Sequence, residues 1–362
     1  MNELLHALTL SRLPGIGVMT ALQLYRHYGS AQEVYACRGE LKGRAATAFA
    51  RWEETRARAE AELEFCERQG ISALPLQAAD YPQRLRDCPD APLVLFRRGN
   101  ANLNNIHTLA IVGTRRITEY GKSFCQEFIT DIARIIPDCL IVSGLAYGVD
   151  IHAHRACLKN SLPTVGVLAH GLDQIYPSSH RATAEEMLKH GALVTEYMSQ
   201  TFPDKGNFVQ RNRIIAGMAD ATLVVESADK GGALITARLA DEYHREVFAL
   251  PGRISDPYSR GCNALIRDNR ARLLTSAADL AETLRWATAG KTAAPVQREL
   301  FPELTPEEET LCRLLGQAES VGINRLVIES NLPFQQVSSL LFELELKGVV
   351  KPLVGGQYRL LR

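Results

Sequence analysis

The chain has 362 residues, 46% of them hydrophobic and 23% charged, a length suggesting two or three domains and a composition that excludes global disorder, collagen and coiled coil. Basic and acidic residues number 41 each, which excludes a uniformly cationic nucleic-acid coat and leaves room for a local basic patch. No apolar run approaches the ~20 residues that cross a bilayer, and the first ten residues carry acidic Glu3 and no basic side chain, so the expectation is a cytoplasmic protein without membrane contact.

Residues 1–72 read as helical. Leu4, Leu5 and Leu8 recur at helical spacing, and an Ala/Glu/Arg-rich stretch covers 44–68. Between the first two helices Leu13-Pro-Gly-Ile-Gly17 makes a tight turn. Such a turn fits a helix-hairpin-helix whose amides hold a DNA phosphate, and it fits a plain helical packing module equally. The proline-bounded stretch 73–105 leads into the next region, with room for an edge strand.

From Thr108 short apolar strands alternate with helices, at 109–112, 140–143, 164–169, 192–196, 221–225 and 247–250. That alternation predicts right-handed crossovers and an α/β fold with a doubly wound parallel sheet, which binds ligands at the carboxyl ends of its strands. The expected sheet domain spans 73–286. A linker comes next at 287–301, rich in small residues with Lys291 and Pro295. In 302–362, Thr305 and Pro306 open a helical pattern that runs to Leu346, and 348–360 reads as a hairpin. Three helices closed by a hairpin outline a winged helix. Eight acidic against six basic residues there favour a protein-contact or structural role over docking on DNA.

Four segments carry chemistry. Gly113-Thr114-Arg115-Arg116 follows the first strand, where a glycine, helix amides, the Thr114 hydroxyl and Arg115 can hold an anion; a surface arginine pair beside a tight turn is the plainer alternative. It is not the Gly-x-Gly-x-x-Gly dinucleotide fingerprint. Ser143-Gly144 through Gly148, Asp150, His152 and His154 forms the second turn, with Asp150 expected to cap the next helix and His154 to be a hydrogen-bonding core or pocket residue. His152 and His154 point ~200° apart on a helix, so they do not share a metal ion. Arg211-Asn212-Arg213 reads as a backbone clamp at the sheet rim or as a salt-bridged helix start. Lys230-Gly231-Gly232, with Thr236, is another glycine-rich turn with a cation at its mouth. Repeated amide-rich turns along one edge suit several phosphates in a row better than one nucleotide, and they call for no cofactor and no metal. The eight cysteines (Cys37, Cys66, Cys88, Cys125, Cys139, Cys157, Cys262 and Cys312) are scattered singly, which predicts buried, reduced thiols rather than a zinc module or redox pair.

In this order the segments closely resemble the DprA/Smf family, DNA-processing protein A of bacterial natural transformation. The resemblance rests on Gly113-Thr-Arg115, on Ser143-Gly-Leu-Ala-Tyr-Gly-Val-Asp150 with Ala153-His154, and on Gly171-Leu-Asp-Gln-Ile-Tyr176-Pro177. It continues through Arg211-Asn-Arg-Ile-Ile-Ala-Gly217, Leu234-Ile-Thr-Ala237, Val247-Phe-Ala-Leu-Pro-Gly252 and Gly261-Cys-Asn-Ala-Leu-Ile266. It implies a helical, SAM- or helix-hairpin-helix-like N-terminal domain, an extended Rossmann-like core and a winged-helix C-terminal domain. It also implies a non-enzymatic homodimer that binds and protects incoming single-stranded DNA during competence and loads RecA recombinase for recombination, with single-strand-binding protein as a further partner. The DNA-contact residues it implies are Gly113, Thr114, Arg115, Ser143, Gly144, Arg211, Asn212, Arg213, Lys230, Gly232 and Thr236, with Gly148, Asp150 and His154 shaping the pocket. The sequence departs from the family pattern in lacking hydroxyls at Gly231 and Ala233, and in placing His180 for asparagine and His244 for glycine. The rival class is a nucleotide hydrolase of the lysine-decarboxylase-like Rossmann group, which needs a carboxylate at the glycine-rich turn; after Gly231 none occurs before Asp241. An NAD-linked dehydrogenase is disfavoured by the missing fingerprint.

Overall fold

The computed structural model describes residues 2–286, 304–318, 320–353 and 356–361, so the expected linker at 287–301 lies outside the described residues. The chain forms two compact units, Met1–Thr288 and Ala289–Arg362.

The first unit opens with five helices: α1 (Asn2–Arg12), α2 (Val18–Tyr28), α3 (Ala31–Ala36), α4 (Gly43–Phe49) and α5 (Trp52–Gln69). In the turn between α1 and α2 the Ile16 side chain is buried and its N–H donates to the Leu13 carbonyl at 3.1 Å. Helix α5 buries Trp52, Thr55, Ala59, Glu62 and Cys66, the three- and four-residue spacing of one helix face. It ends at Gly70 in the left-handed conformation, with the Ile71 N–H on the Cys66 carbonyl at 2.9 Å.

The sheet region begins with β1 (Ser72–Pro75), α6 (Gln83–Arg86), β2 (Val94–Gly99), β3 (Thr108–Val112), α7 (Glu119–Ile135), β4 (Leu140–Ser143), α8 (Val149–Lys159) and β5 (Thr164–Val167). It continues with α9 (Arg181–Met187), β6 (Ala192–Thr195), α10 (Lys205–Met218), β7 (Ala221–Val224) and α11 (Gly232–Glu242), and then β8 (Glu246–Ala249), α12 (Arg260–Arg267), β9 (Arg272–Leu273) and α13 (Ala277–Thr283). The nine strands lie in the order β1-β2-β6-β5-β4-β3-β7-β8-β9. From β6 to β9 every pairing is parallel. The order reverses direction at β3, the switch point where a doubly wound sheet opens a crevice.

The six expected parallel strands are present. The stretch 73–105 adds more than one edge strand: β1 and β2 form an antiparallel pair, and β2 runs antiparallel to β6. Strand residues alternate between two cores. Leu109, Ile111, Ile141, Leu223 and Phe248 pack with α7, α8 and α13, while Ala110, Val112, Val142, Val224 and Ala249 pack with the other face, whose core is shared with the N-terminal helices. Burial on both faces is why these strands read as unbroken apolar runs. All eight cysteines are unbridged, and six are buried; burial pushes the thiols of Cys66 and Cys125 up to about 12.

The second unit contains α14 (Pro306–Leu315), β10 (Val321–Gly322), α15 (Ile323–Ser330), α16 (Phe334–Leu346), β11 (Val350–Leu353) and β12 (Gln357–Leu360). Three helices and the β11–β12 hairpin, with β10 paired to β12, make a winged helix. The expected cap is a capping box: Glu308 N–H donates to Thr305 Oγ1 at 3.3 Å, and the Glu308 carboxylate accepts the Thr305 N–H at 2.7 Å.

The conformation of His244 has a structural cost. It follows α11 with φ +57°, its N–H on the Asp241 carbonyl at 2.9 Å and the Arg245 N–H on the Ala240 carbonyl at 2.9 Å, the left-handed closing position that favours glycine. His244→Gly is expected to stabilise the first unit by about 0.5–1 kcal/mol, the left-handed penalty less glycine's added chain entropy. Urea denaturation followed by circular dichroism measures it.

Candidate functional site

Three strand-end turns are stitched together by backbone. The Thr114 N–H donates to the Glu226 carbonyl at 2.7 Å, and the Val149 N–H donates to the Thr114 carbonyl at 3.1 Å, which ties the ends of β3, β4 and β7. Gly148 makes the fit possible. It holds φ +77°, and a Cβ there would stand 2.0 Å from the Thr114 oxygen. The Glu226 carboxylate is turned away from these turns toward the start of α7, where it accepts the Thr118 N–H at 2.9 Å and the Thr118 hydroxyl. Burial raises its pKa against the pull of those bonds.

Over these ends opens a cleft of about 970 Å³. Its floor is built on Arg211, which is only 4% exposed. The guanidinium donates to the Gly144 carbonyl at 2.7 Å and to the Val167 carbonyl, joining the ends of β4 and β5. A Cβ at residue 144 would lie 2.5 Å from that guanidinium, so a side chain there would displace Arg211 from its carbonyls. Burial lowers the Arg211 pKa to about 10, with Asp150 opposing, so it remains a cation at neutral pH. Asp150 accepts the N–H groups of Gly144 at 3.1 Å and Ala146 at 3.3 Å. The expected cap is therefore corrected: Gly148 holds the N-cap position of α8, and Asp150, in the first turn, reaches back to the loop. Burial raises its pKa and Arg211 counters.

Two expected contacts move inward. Ser143 is fully buried and donates its hydroxyl to the Ile111 carbonyl at 2.6 Å, so its side chain is a strut and offers nothing to a ligand. Arg213 faces away from the cleft because residues two apart on a helix point ~200° apart. Both Glu196 oxygens lie 2.7 Å from its Nη2, and Asp90 offers it a carbonyl. The salt-bridge reading therefore holds for Arg213. His154 is fully buried, with Nδ1 2.7 Å from Thr164 Oγ1. That hydroxyl donates to the Ile141 carbonyl at 2.9 Å, so Nδ1 carries the proton. Burial, with Arg211 and His180, pushes its pKa down to about 3, and the ring is neutral.

The mouth is different in character. Gly113, Thr114, Arg115, Asn212, Lys230, Gly232 and Thr236 line the cleft as expected from the sequence, with Arg115, Lys230 and Gly232 exposed. At Gly231, where the resemblance leads one to expect a hydroxyl, Ser227 Oγ stands 2.3 Å from an ideal Cβ. His180 donates from Nδ1 to the Leu145 carbonyl at 2.9 Å and packs its edge on Tyr147, which steadies the second turn. Sequence reasoning did not assign Lys205 or the aromatic side chains Tyr147, Tyr176, Phe202 and Phe208, all of which line the cleft. Phe202 is 73% exposed. Phe208 lies 5.0 Å below the Arg115 guanidinium and 5.9 Å from the Tyr176 ring. The available signal was large aromatic residues in or just after polar strand-end loops, with Tyr147 and Tyr176 inside segments already singled out.

Residues 72–285 match the family model for DNA recombination-mediator protein A. The chain belongs to this family, DprA. Residues 293–356 match the DprA winged helix domain. Among similar proteins, DNA processing protein DprA of Bacillus subtilis is 41% identical over 217 residues, 60% of this chain and 72% of that one. Protein Smf of Escherichia coli is 34% identical over 308 residues, 84% and 81% of the two chains. The solved structure of DprA from Streptococcus pneumoniae superposes with a TM-score of 0.68 at 30% identity, covering 76% of this chain and 95% of that one. That of Helicobacter pylori DNA processing protein A, described for its single-stranded DNA binding mode, gives 0.54 at 29% identity, with 60% and 96% covered.

The split between floor and mouth separates stability from binding in this DprA chain. Arg213→Ala leaves Glu196 buried without its partner and is expected to cost about 3–5 kcal/mol. Arg115→Ala, at an exposed turn, is expected to stay within about 0.5 kcal/mol of wild type. Denaturant unfolding of the two variants side by side checks the assignment.

Proposed function

We propose that the cleft binds single-stranded DNA through Gly113, Thr114, Arg115, Arg211, Asn212, Lys230, Gly232 and Thr236, joined by Lys205 and the aromatic side chains of the mouth, with Gly144 holding Arg211 beneath them. The single observation that carries the reading is the pairing of the exposed cations Arg115, Lys205 and Lys230 with the exposed rings of Tyr147, Tyr176 and Phe202 over a cation-based floor. Cations track a phosphate backbone and aromatic rings stack unpaired bases, a combination that suits one strand and leaves a duplex, whose bases are already stacked, without partners. The single-stranded DNA binding mode described for the Helicobacter pylori relative supports it.

We further propose that the chain works as a non-enzymatic homodimer in natural transformation, protecting incoming strands and loading RecA, with single-strand-binding protein as a further partner; the family resemblance supports these roles. Against the hydrolase reading, the carboxylates among the described cleft-lining residues are Asp150 and Asp204. Asp150 is engaged with two loop amides, and Asp204 caps α10 by accepting the Gly206 N–H at 2.7 Å. The proposed domains are 1–72, 73–286 and 302–362, with the linker between the last two.

Fluorescence anisotropy with labelled oligonucleotides is expected to show tight single-strand binding, weak duplex binding and an affinity that falls as salt rises. Equal affinity for both forms would sink the proposal. Arg115→Ala and Lys230→Ala are each expected to weaken strand binding by about 1.5–3 kcal/mol as lost charge-assisted contacts. Phe202→Ala, which removes an exposed ring of the mouth, is expected to cost about 1–3 kcal/mol as a lost stacking face. The loading role is checked by RecA-dependent strand pairing on strands coated with single-strand-binding protein, which the protein is expected to stimulate without turning over nucleotide.

A further inference from the structure

The buried face of α5 contains one residue that a packing stripe does not call for. Trp52, Thr55, Ala59 and Cys66 fill the positions around it, and Glu62 sits among them only 2% exposed. A carboxylate there costs desolvation unless it is fully engaged. It is engaged by the loop between β6 and α10 of the sheet region. Glu62 accepts the Ser199 N–H at 2.8 Å and the Ser199 hydroxyl at 2.6 Å, and Arg58 of the same helix reaches Glu62 at 2.9 Å and the Ser199 carbonyl at 2.7 Å. All three polar groups of Ser199 therefore end on α5. Helix α1 takes hold nearby, with Arg12 donating to the Glu196 carbonyl and lying over the Tyr197 ring.

Ser199 stands just before the wall of the cleft. Gln200, at φ +62°, donates its N–H to Asp173 at 3.0 Å, and the Thr201 carbonyl accepts from the Gly171 N–H at 3.2 Å and Gln174 Nε2 at 3.0 Å. Then come Phe202, the Asp204 cap, Lys205 and Phe208, all of which line the cleft. The segment between β6 and α10 makes no strand or helix of its own, so its course is set by these side-chain anchors.

We propose that Glu62 and Arg58 are positioning residues for strand binding: the N-terminal helical region, with no residue of its own in the cleft, fixes the wall that carries Phe202, Lys205 and Phe208. The inference rests on the single-strand reading of the cleft.

The test compares full-length wild type, Glu62→Ala and Glu62→Gln by oligonucleotide anisotropy and by amide hydrogen exchange. Glu62→Ala is expected to weaken strand affinity about tenfold, the equivalent of one buried charge-assisted hydrogen bond. Exchange in 200–208 is expected to quicken about tenfold while 108–112 in the sheet keeps its protection, a local opening rather than global loss. Glu62→Gln, which still accepts the Ser199 N–H, is expected to recover most of both. Should Glu62→Ala not fold, Ser199→Ala removes only the hydroxyl and is expected to weaken affinity about threefold, less than Glu62→Ala because the Ser199 N–H and carbonyl stay anchored to α5. Unchanged affinity in these variants beside a binding wild type overturns the positioning role alone. So does an exchange increase spread evenly over the sheet, which would make Glu62 a general stability residue. A wild type that binds no single strand overturns the reading of the cleft itself.

Discussion

A guanidinium almost without contact to water lies under the cleft, and the surrounding backbone is arranged to keep it there. Arg211 needs carbonyls to receive its N–H groups and a counter-charge to offset its desolvation. The ends of β4 and β5 supply the first, through Gly144 and Val167, and Asp150 supplies the second. Asp150 in turn takes the N–H groups of Gly144 and Ala146, which sets the path of the second turn. That path brings Gly148 against Thr114 and thereby fixes the first turn. The floor residues are thus one connected solution to a single buried charge, and the mouth residues stand on it.

The division of labour explains how a chain with no net charge can present a cationic mouth. The few cations that matter, Arg115, Lys205 and Lys230, stand together at the mouth, while other arginines are consumed in internal pairs such as Arg213 with Glu196 and Arg84 with Asp220. Net charge counts both kinds equally and so hides the patch. The winged helix shows the converse. Helix α16 carries Glu343 and Glu345 and no basic residue, which leaves it without a cation to neutralise a phosphate.

The sheet was legible because double burial demands continuous apolar strands and the turns after them carry glycine. The same reading passed over the pairing direction of β1 and β2, since an antiparallel flange and a parallel edge place the same apolar residues on the same faces. Arg211 and Arg213 looked alike in the sequence and have opposite fates, because the helical phase that separates them depends on which face of α10 meets the sheet. Glu62 was invisible for a different reason. In a stretch rich in Glu and Arg, one carboxylate on the buried stripe is a detail of phase, and its partner Ser199 is 137 residues away.

The flange of β1 and β2 also decides how the sheet meets other proteins. An open edge is a row of unpaired amides and carbonyls, a template for further strands. Here one edge strand, β1, includes Pro75 and packs against α1 and α5, and the opposite edge, β9, is two residues long. Neither margin offers a long straight run to a second chain. Continuing this nine-stranded sheet from subunit to subunit, the path that leads to fibrils, is disfavoured at both of its margins.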